Sequence, residues 1–164
     1  AMDLKPDFCC IVPEKREEKT TEGGLSLKTY TDKQLILLEK TISDFKLNDI
    51  KTSLFIDPNT ESIDIAKNVG ADLVELHTGR YANFFNTIDE FDCLEEIITA
   101  SNHAHSNGLL VNAGHGLNYE NLTEICKLEH INEINIGHAI IAQAVFTGLK
   151  DAIKKIISII NNCD

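Results

Sequence analysis

The sequence predicts a parallel α/β fold, and three observations support this prediction. Short apolar runs of strand length alternate with longer stretches of helical periodicity along the chain. No pair of runs is joined by the short turn that is typical of a β-hairpin. Polar residues stand where the apolar runs end, and α/β folds place their chemistry at the carboxyl ends of parallel strands.

Five segments have the composition of strands. Each is short and apolar, and each is closed by proline, glycine or a polar residue. The segments are 7–14, 51–57, 71–79, 109–111 and 134–138. The first is expected to be buried. In the third, Glu75 and His77 alternate with Val74 and Leu76, so the two polar side chains are expected on one face.

Helices are predicted between these strands from capping residues and apolar spacing. Leu35, Leu38 and Ile42 follow a capping Thr31 or Asp32 at helical intervals. A short helix is capped by Asn59 or Thr60, and Gly70 ends it. Further helices are expected at 88–107, near 120–127 and directly after 138. A last helix presents an apolar face formed by Leu149, Ala152, Ile153, Ile156, Ile157 and Ile160.

Two architectures fit this alternation. A doubly wound open sheet can be built from five strands, whereas a TIM barrel needs eight strands and typically about 250 residues. Strand counting alone therefore favours the open sheet. The sequence has no interior linker and no long low-complexity segment, so 1–164 is expected to form a single domain.

Composition excludes several classes of function. The net charge of −11 argues against a general nucleic-acid or anionic-membrane surface. No apolar stretch approaches 18 residues, so no membrane span is expected, and without a signal peptide the expected location is the cytoplasm. The five cysteines lack C-x-x-C spacing and are expected to be reduced. No metal motif or P-loop is present, so neither a metal nor a cofactor is indicated.

Acid–base residues cluster at the predicted strand ends. They are Glu14, Asp57, Glu75, His77, His115 and His138. Six such groups on one rim indicate an enzyme. His115 stands between two glycines, has little to pack against, and titrates near neutrality, so it is favoured for proton transfer. Asp57 fits a turn or cap residue as well, and His77 fits a structural histidine equally well.

Two further features point to substrate binding. A carboxylate such as Glu75 within an apolar strand is costly to bury without a partner or a purpose. Gly137 at the start of a helix leaves backbone N–H groups that could hold a phosphate, although a lone glycine can serve only the turn. The charged and glycine-rich loop 15–24 could close over the site or could be a solvated connection.

Five sequence stretches together resemble the pyridoxine 5'-phosphate synthase family of the deoxyxylulose-phosphate-dependent route to vitamin B6. They are CCIVPEKREEKTTEGGL, SLFIDP, GADLVELHTGRYA, VNAGHGLNYEN and EINIGHAIIAQAVFTGL, in the family's order. The resemblance implies a TIM barrel with extra helices. It also implies condensation of 3-amino-2-oxopropyl phosphate with 1-deoxy-D-xylulose 5-phosphate to pyridoxine 5'-phosphate, phosphate and water. Family members are cytoplasmic homo-oligomers, and well-known ones are octamers.

Residue roles follow from the resemblance, position by position. His115 resembles the family's proton donor, and Glu75 resembles the carboxylate that stabilises the transition state. Gly116, Gly137 and His138 resemble contacts to the amino-oxopropyl phosphate. Thr20 resembles the hydroxyl that holds the deoxyxylulose phosphate, on a loop that resembles the family's closing lid.

The chain departs from the family at its start. The family's amino-terminal strands have no counterpart, so the resemblance implies that this chain covers about strands 4 to 8 of the barrel. Five strands cannot close an eight-stranded barrel, and exposed sheet edges are therefore expected. Two other interpretations stay open. One is a non-catalytic partial barrel that binds phosphate or assembles with a partner. The other is an open-sheet phosphate-binding domain with a switch point in its strand order.

Overall fold

The structure is a computed structural model, and it describes residues 1–13 and 23–163. Glu14, Thr20 and most of the predicted closing loop 15–24 lie outside the described residues. Five strands are present in the described part of the chain. They are β1 (Phe8–Ile11), β2 (Lys51–Ile56), β3 (Leu73–His77), β4 (Leu110–Gly114) and β5 (Ile131–Asn135).

Seven α-helices and one short 3₁₀ turn accompany these strands in the described residues. The helices are α1 (Asp32–Lys46), α2 (Thr60–Asn68), α3 (Gly79–Phe84), α4 (Glu90–Ser106), α5 (Leu122–Cys126), α6 (His138–Thr147) and α7 (Leu149–Asn161). The 3₁₀ turn is Leu27–Thr29. No helix in residues 1–13 and 23–163 has the length and apolar content of a transmembrane segment.

The sheet is entirely parallel, and its strands lie in chain order from β1 to β5. A doubly wound sheet reverses its strand order at a switch point, and a TIM barrel does not. The sequential order therefore contradicts both the open sheet favoured by strand counting and the switch-point domain. It agrees with a partial TIM-like fold. β1 and β5 each pair on one side only, so two sheet edges are open, as expected.

The main hydrophobic core lies on one face of the sheet. Alternate strand residues, such as Leu54, Val74 and Val111, pack there against the helices and are almost fully buried. The opposite face carries Glu75 and Asn112, which stand side by side in the register of β3 and β4. Polar groups are therefore concentrated on the face away from the helical layer.

Local sequence signals explain the helix boundaries. The backbone N–H of Thr31 donates to the side chain of Gln34 (2.9 Å) at the start of α1. The side chain of Asn59 accepts from the N–H of Ser62 (2.9 Å) and caps α2. Gly70 then adopts a φ of +88°, a conformation that glycine adopts without strain. The predictions for these two helices are confirmed.

Three sequence predictions need correction. β1 is half-exposed rather than buried, because it is an edge strand. The fifth strand ends at Asn135, so His138 belongs to the first turn of α6 and not to a strand. The short helix α3 was not predicted, because six residues are too few to show a helical period.

Helices α6 and α7 expose much of their apolar surface. In α6 no residue is fully buried, and Val145 and Phe146 are 78% and 86% exposed. In α7 only Ala152 and Ile156 of the predicted apolar face are buried. The remaining apolar residues of that face, including Ile157, are at least one-third exposed. The last helix, α7, therefore has the predicted amphipathic pattern, but its apolar face is only partly buried.

Candidate active site

A cleft of about 860 Å³ opens at the carboxyl ends of the strands. Most of the residues singled out from the sequence line it, and they come from β3, from the turn after β4 and from the start of α6. The shared lining residues are Glu75, His115, Gly116, Gly137 and His138. Segments far apart in the chain thus meet in one concave site large enough for a small phosphorylated molecule.

Glu75 lies in the middle of β3 and points into the cleft. Its Oε2 accepts a hydrogen bond from Asn135 Nδ2 at 2.9 Å, and Cys10 Sγ donates to the same oxygen at 3.8 Å. Burial raises the pKa of Glu75, and the nearby charge of Glu133 adds to this effect. The hydrogen bonds from Asn135 and Cys10 oppose the increase without cancelling it.

Cys10 is a thiol donor and not a nucleophile in this environment. Burial and then the charge of Glu75 raise the pKa of the Cys10 thiol to about 11. The sulfur is therefore protonated at neutral pH, and a protonated thiol can donate to the Glu75 carboxylate but reacts poorly. All five cysteines lie in the described residues as free thiols, and of these only Cys93 is buried.

Replacing Glu75 by glutamine is expected to stabilise the fold at neutral pH. Because the folded-state pKa of Glu75 is raised, its contribution to stability is present below the unfolded pKa and is lost as pH rises through the folded pKa. Glu75→Gln removes this loss and keeps an acceptor for Asn135. Urea unfolding should show Glu75→Gln more stable than the wild type at pH 7, with the difference shrinking as pH falls through the raised pKa of Glu75 and gone below about pH 4.5.

The matched control is Glu39→Gln on the exposed surface of α1. A surface substitution of this kind changes the free energy of unfolding by no more than about 0.5 kcal/mol. A gain for Glu75→Gln that is the same at pH 4 and pH 7 would contradict the assigned cause.

His115 follows β4 in a backbone conformation that is rare for a side-chain-bearing residue. Its φ is +80°, and such conformations persist only where the surroundings hold them. Thr78 does so here. Its hydroxyl donates to the carbonyl oxygens of Gly114 (2.8 Å) and His115 (2.6 Å), and its backbone N–H donates to Gly114 O (2.8 Å). The imidazole is thereby fixed at the rim of the cleft.

The protonation of His115 is set by its neighbours. Burial lowers the pKa of His115, and the positive charges that His77 and His138 can carry lower it further. A lowered pKa makes the imidazolium a stronger acid, which suits a group that gives up a proton in each turnover.

Gly116, Gly137 and His138 form a second wall of the cleft. Asn121 Nδ2 donates to Gly116 O at 3.2 Å and fixes the turn after His115. Gly137 is the N-cap of α6, and a Cβ added there would meet no atom within 4 Å, so the helix start faces open space. The first N–H groups of any helix lack intrahelical acceptors and carry partial positive charge. This wall can therefore accept an anion.

Two sets of site residues were missed or undervalued in the sequence. Asn135 and Cys10 contact Glu75 from β5 and β1, but no local pattern announces a contact across 60 or 65 residues. Gly114 leaves room for Glu75, because a Cβ at Gly114 would lie 2.6 Å from Glu75 Oε1. The one sequence signal for Asn135 was its position at a strand end, two residues before Gly137.

The remaining candidate residues from the sequence are Asp57, His77, Thr20 and Glu14. Asp57 Oδ1 and His77 Nδ1 lie 3.3 Å apart, behind Phe55 and His115. Thr20 and Glu14 lie outside the described residues. Within the described parts of the chain, no group of three or more His, Cys, Asp or Glu side chains could hold a metal ion.

Comparison with known proteins places the chain in a family. Residues 1–162 match the family described as "Pyridoxal phosphate biosynthesis protein PdxJ". The chain belongs to the PdxJ family. Relatives named pyridoxine 5'-phosphate synthase include one from Sulfurihydrogenibium sp., 48% identical over 99% of this chain and 65% of the relative. Another, from Blochmanniella floridana, is 50% identical over 94% of this chain and 61% of the relative.

The chain spans less than two thirds of the length of these curated PdxJ-family relatives. Among solved structures, a mandelate oxidase variant aligns with 74% of this chain and 35% of its own, at 15% identity and a TM-score of 0.47. That likeness is too weak to support any conclusion. Membership of the PdxJ family confirms the resemblance seen in the sequence motifs.

Proposed function

We propose that the protein is a pyridoxine 5'-phosphate synthase. The reaction condenses 3-amino-2-oxopropyl phosphate with 1-deoxy-D-xylulose 5-phosphate and gives pyridoxine 5'-phosphate, inorganic phosphate and water. The observation that carries the proposal is the meeting of Glu75, His115 and the start of α6 in one cleft of a PdxJ-family chain. A carboxylate, an imidazole and an anion-binding helix terminus are the groups that this condensation needs.

The substrate supplies the nucleophile in this scheme. The amine of the amino-oxopropyl phosphate attacks the carbonyl carbon of the deoxyxylulose phosphate, so no enzyme lysine is required. Each loss of water needs a proton on the departing hydroxyl, and His115 is the proposed donor. The carbon–nitrogen intermediates carry positive charge, and Glu75 can stabilise that charge from within a partly buried site. No cofactor enters this scheme.

Phosphate binding is assigned to the second wall of the cleft. The backbone at Gly116 and Gly137, together with His138, would hold the phosphate of the amino-oxopropyl substrate. The open space at Gly137 and the positive end of α6 support this assignment. Thr20 is assigned to the deoxyxylulose phosphate from the family motif alone.

The architecture proposed for the working enzyme is a TIM barrel in which residues 1–164 are a single domain that supplies about strands 4 to 8. The sequential parallel order of β1 to β5 and the two open edges support it. The exposed apolar residues of α6 and α7, such as Phe146, support assembly into a homo-oligomer. The octamer and the cytoplasmic location are proposed from the family resemblance alone. Analytical ultracentrifugation tests the assembly, and a monomer with normal activity would contradict it.

A direct assay tests the proposed reaction. The purified protein is supplied with both phosphorylated substrates, and pyridoxine 5'-phosphate and inorganic phosphate are measured together. The two products are expected in equal amounts, and omission of either substrate should abolish both. Phosphate release without pyridoxine 5'-phosphate would show a phosphatase and would contradict the proposal.

A further inference from the structure

Behind His115 lies a second imidazole, His77, that the proposed function does not use. The residue is the last of β3, and only 7% of its surface is exposed. Its Nδ1 lies 3.3 Å from Asp57 Oδ1, and the same oxygen accepts the backbone N–H of Gly24 at 2.9 Å. The carboxylate is therefore fixed from two sides, and it fixes the His77 ring in turn.

The other ring nitrogen of His77 is without a hydrogen-bond partner. Its Nε2 is fully buried, and no described residue donates to it or accepts from it. A buried polar atom in this condition is costly and requires an explanation. The nearby Asp57 carboxylate favours a proton on Nδ1, and Nε2 then carries a lone pair that can take up a proton or accept a hydrogen bond.

The ring that carries this nitrogen lies next to the ring of His115. The centroids of the two imidazole rings lie 4.8 Å apart, with the planes inclined at 44°. Gly79 is part of the reason they can approach. A Cβ at Gly79 would lie 2.7 Å from both Nε2 and Cε1 of His77 and 3.3 Å from Cδ2 of His115. Phe55 packs edge-on against His77 at 5.2 Å and closes the remaining side.

We propose that Asp57 and His77 are a positioning pair for His115, in which Asp57 fixes the tautomer of His77 and His77 controls when His115 is protonated. The inference rests on the proposed role of His115 as proton donor. Two imidazoles this close do not both carry a proton easily, because their positive charges repel. A proton on His77 therefore discourages a second proton on His115.

Other charged and titratable groups face Asp57, His77 and His115 and also affect their charges. The hydrogen bond from His77 is the largest cause that lowers the pKa of Asp57, so the carboxylate stays charged at neutral pH. His138 approaches His115 from α6 and acts in the same direction as His77. Glu75 on β3 interacts with His77, which lowers the pKa of the Glu75 carboxyl, while burial, Cys10 and Glu133 also act on Glu75.

The test is an NMR titration of the purified protein labelled with ¹⁵N and ¹³C in histidine. In the wild type, neutral His77 is expected to carry its proton on Nδ1, and Asp57→Ala should abolish that preference. In His77→Phe, which keeps the ring volume but removes the charge, the titration of His115 should move to higher pH. The matched control is His103→Gln, which breaks another histidine–carboxylate pair, His103–Asp64 (2.6 Å), outside the cleft and should leave His115 unmoved.

Activity provides the second measurement. His77→Phe is expected to lower kcat by about 10- to 100-fold, the size of effect that misplacing a catalytic group produces, and to move the alkaline limb of the kcat profile, where the proton donor is lost, with the His115 titration. If the NMR spectrum of His77→Phe lacks the signal dispersion of a folded protein, His77→Gln is used instead, and the same results are expected. An unmoved His115 titration in a folded variant, or an Nε2–H tautomer in the wild type, would overturn the inference. Unchanged turnover in His115→Ala would instead refute the proposed function.

Discussion

Replacing His115 by alanine is expected to lower kcat by about 10²- to 10⁴-fold, which is the usual contribution of a positioned proton donor. The proposed reaction requires repeated proton transfers to departing groups, and His115 is the cleft-lining imidazole to which the family resemblance assigns them. The fold should tolerate the change. His115 is half-buried, and alanine has the same backbone strain at a φ of +80°.

Two measurements separate chemistry from folding in this variant. Urea unfolding of His115→Ala should differ from the wild type by no more than about 1 kcal/mol. His105→Ala is the matched control, because His105 stacks on His130 in another part of the structure and should keep full activity. Turnover of His115→Ala within threefold of the wild type would remove His115 from the chemistry.

Replacing Gly114 by alanine is expected to damage both stability and catalysis. The added Cβ would lie 2.6 Å from Glu75 Oε1, 3.0 Å from Asn135 Cβ and 3.1 Å from Asn135 O. The carboxylate of Glu75 can rotate away, but Asn135 is paired with Gly114 in the sheet, so β4 and β5 must separate slightly. Overpacking of this kind typically costs about 1–3 kcal/mol, and the hydrogen bond from Asn135 to Glu75 is strained with it.

Gly137→Ala is the control for stability. A Cβ at Gly137 has no neighbour within 4 Å, so urea unfolding should show little change for this variant and a clear loss for Gly114→Ala. Equal stability of the two variants would mean that the close packing of β4, β5 and Glu75 is not a requirement of the fold.

Local periodicity was enough to predict most of the elements. The spacing of Leu38 and Ile42, the cap at Asn59 and the stop at Gly70 each depend on residues within one or two turns. Such signals do not depend on the rest of the fold. The strand order does, and strand counting therefore favoured the wrong architecture, whereas the motif resemblance agreed with the sequential sheet.

The sequence was enough to single out the main residues of the candidate site, but not the residues that contact them. Glu75 and His115 stand out because a carboxylate in an apolar strand and a histidine between glycines are locally unusual. Asn135, Cys10 and the space left by Gly114 become meaningful only when the strands are in register. Burial of the edge strand β1 was also mispredicted, because apolar composition does not reveal whether a strand has neighbours on both sides.

A crystal structure of the protein with 3-amino-2-oxopropyl phosphate tests most directly whether this cleft is the catalytic site. We expect the phosphate to accept hydrogen bonds from backbone N–H groups at Gly137 and His138. The amino-ketone part should then lie between Glu75 and His115. A substrate bound with its phosphate away from α6, or with neither Glu75 nor His115 within hydrogen-bonding distance of it, would contradict the proposed site.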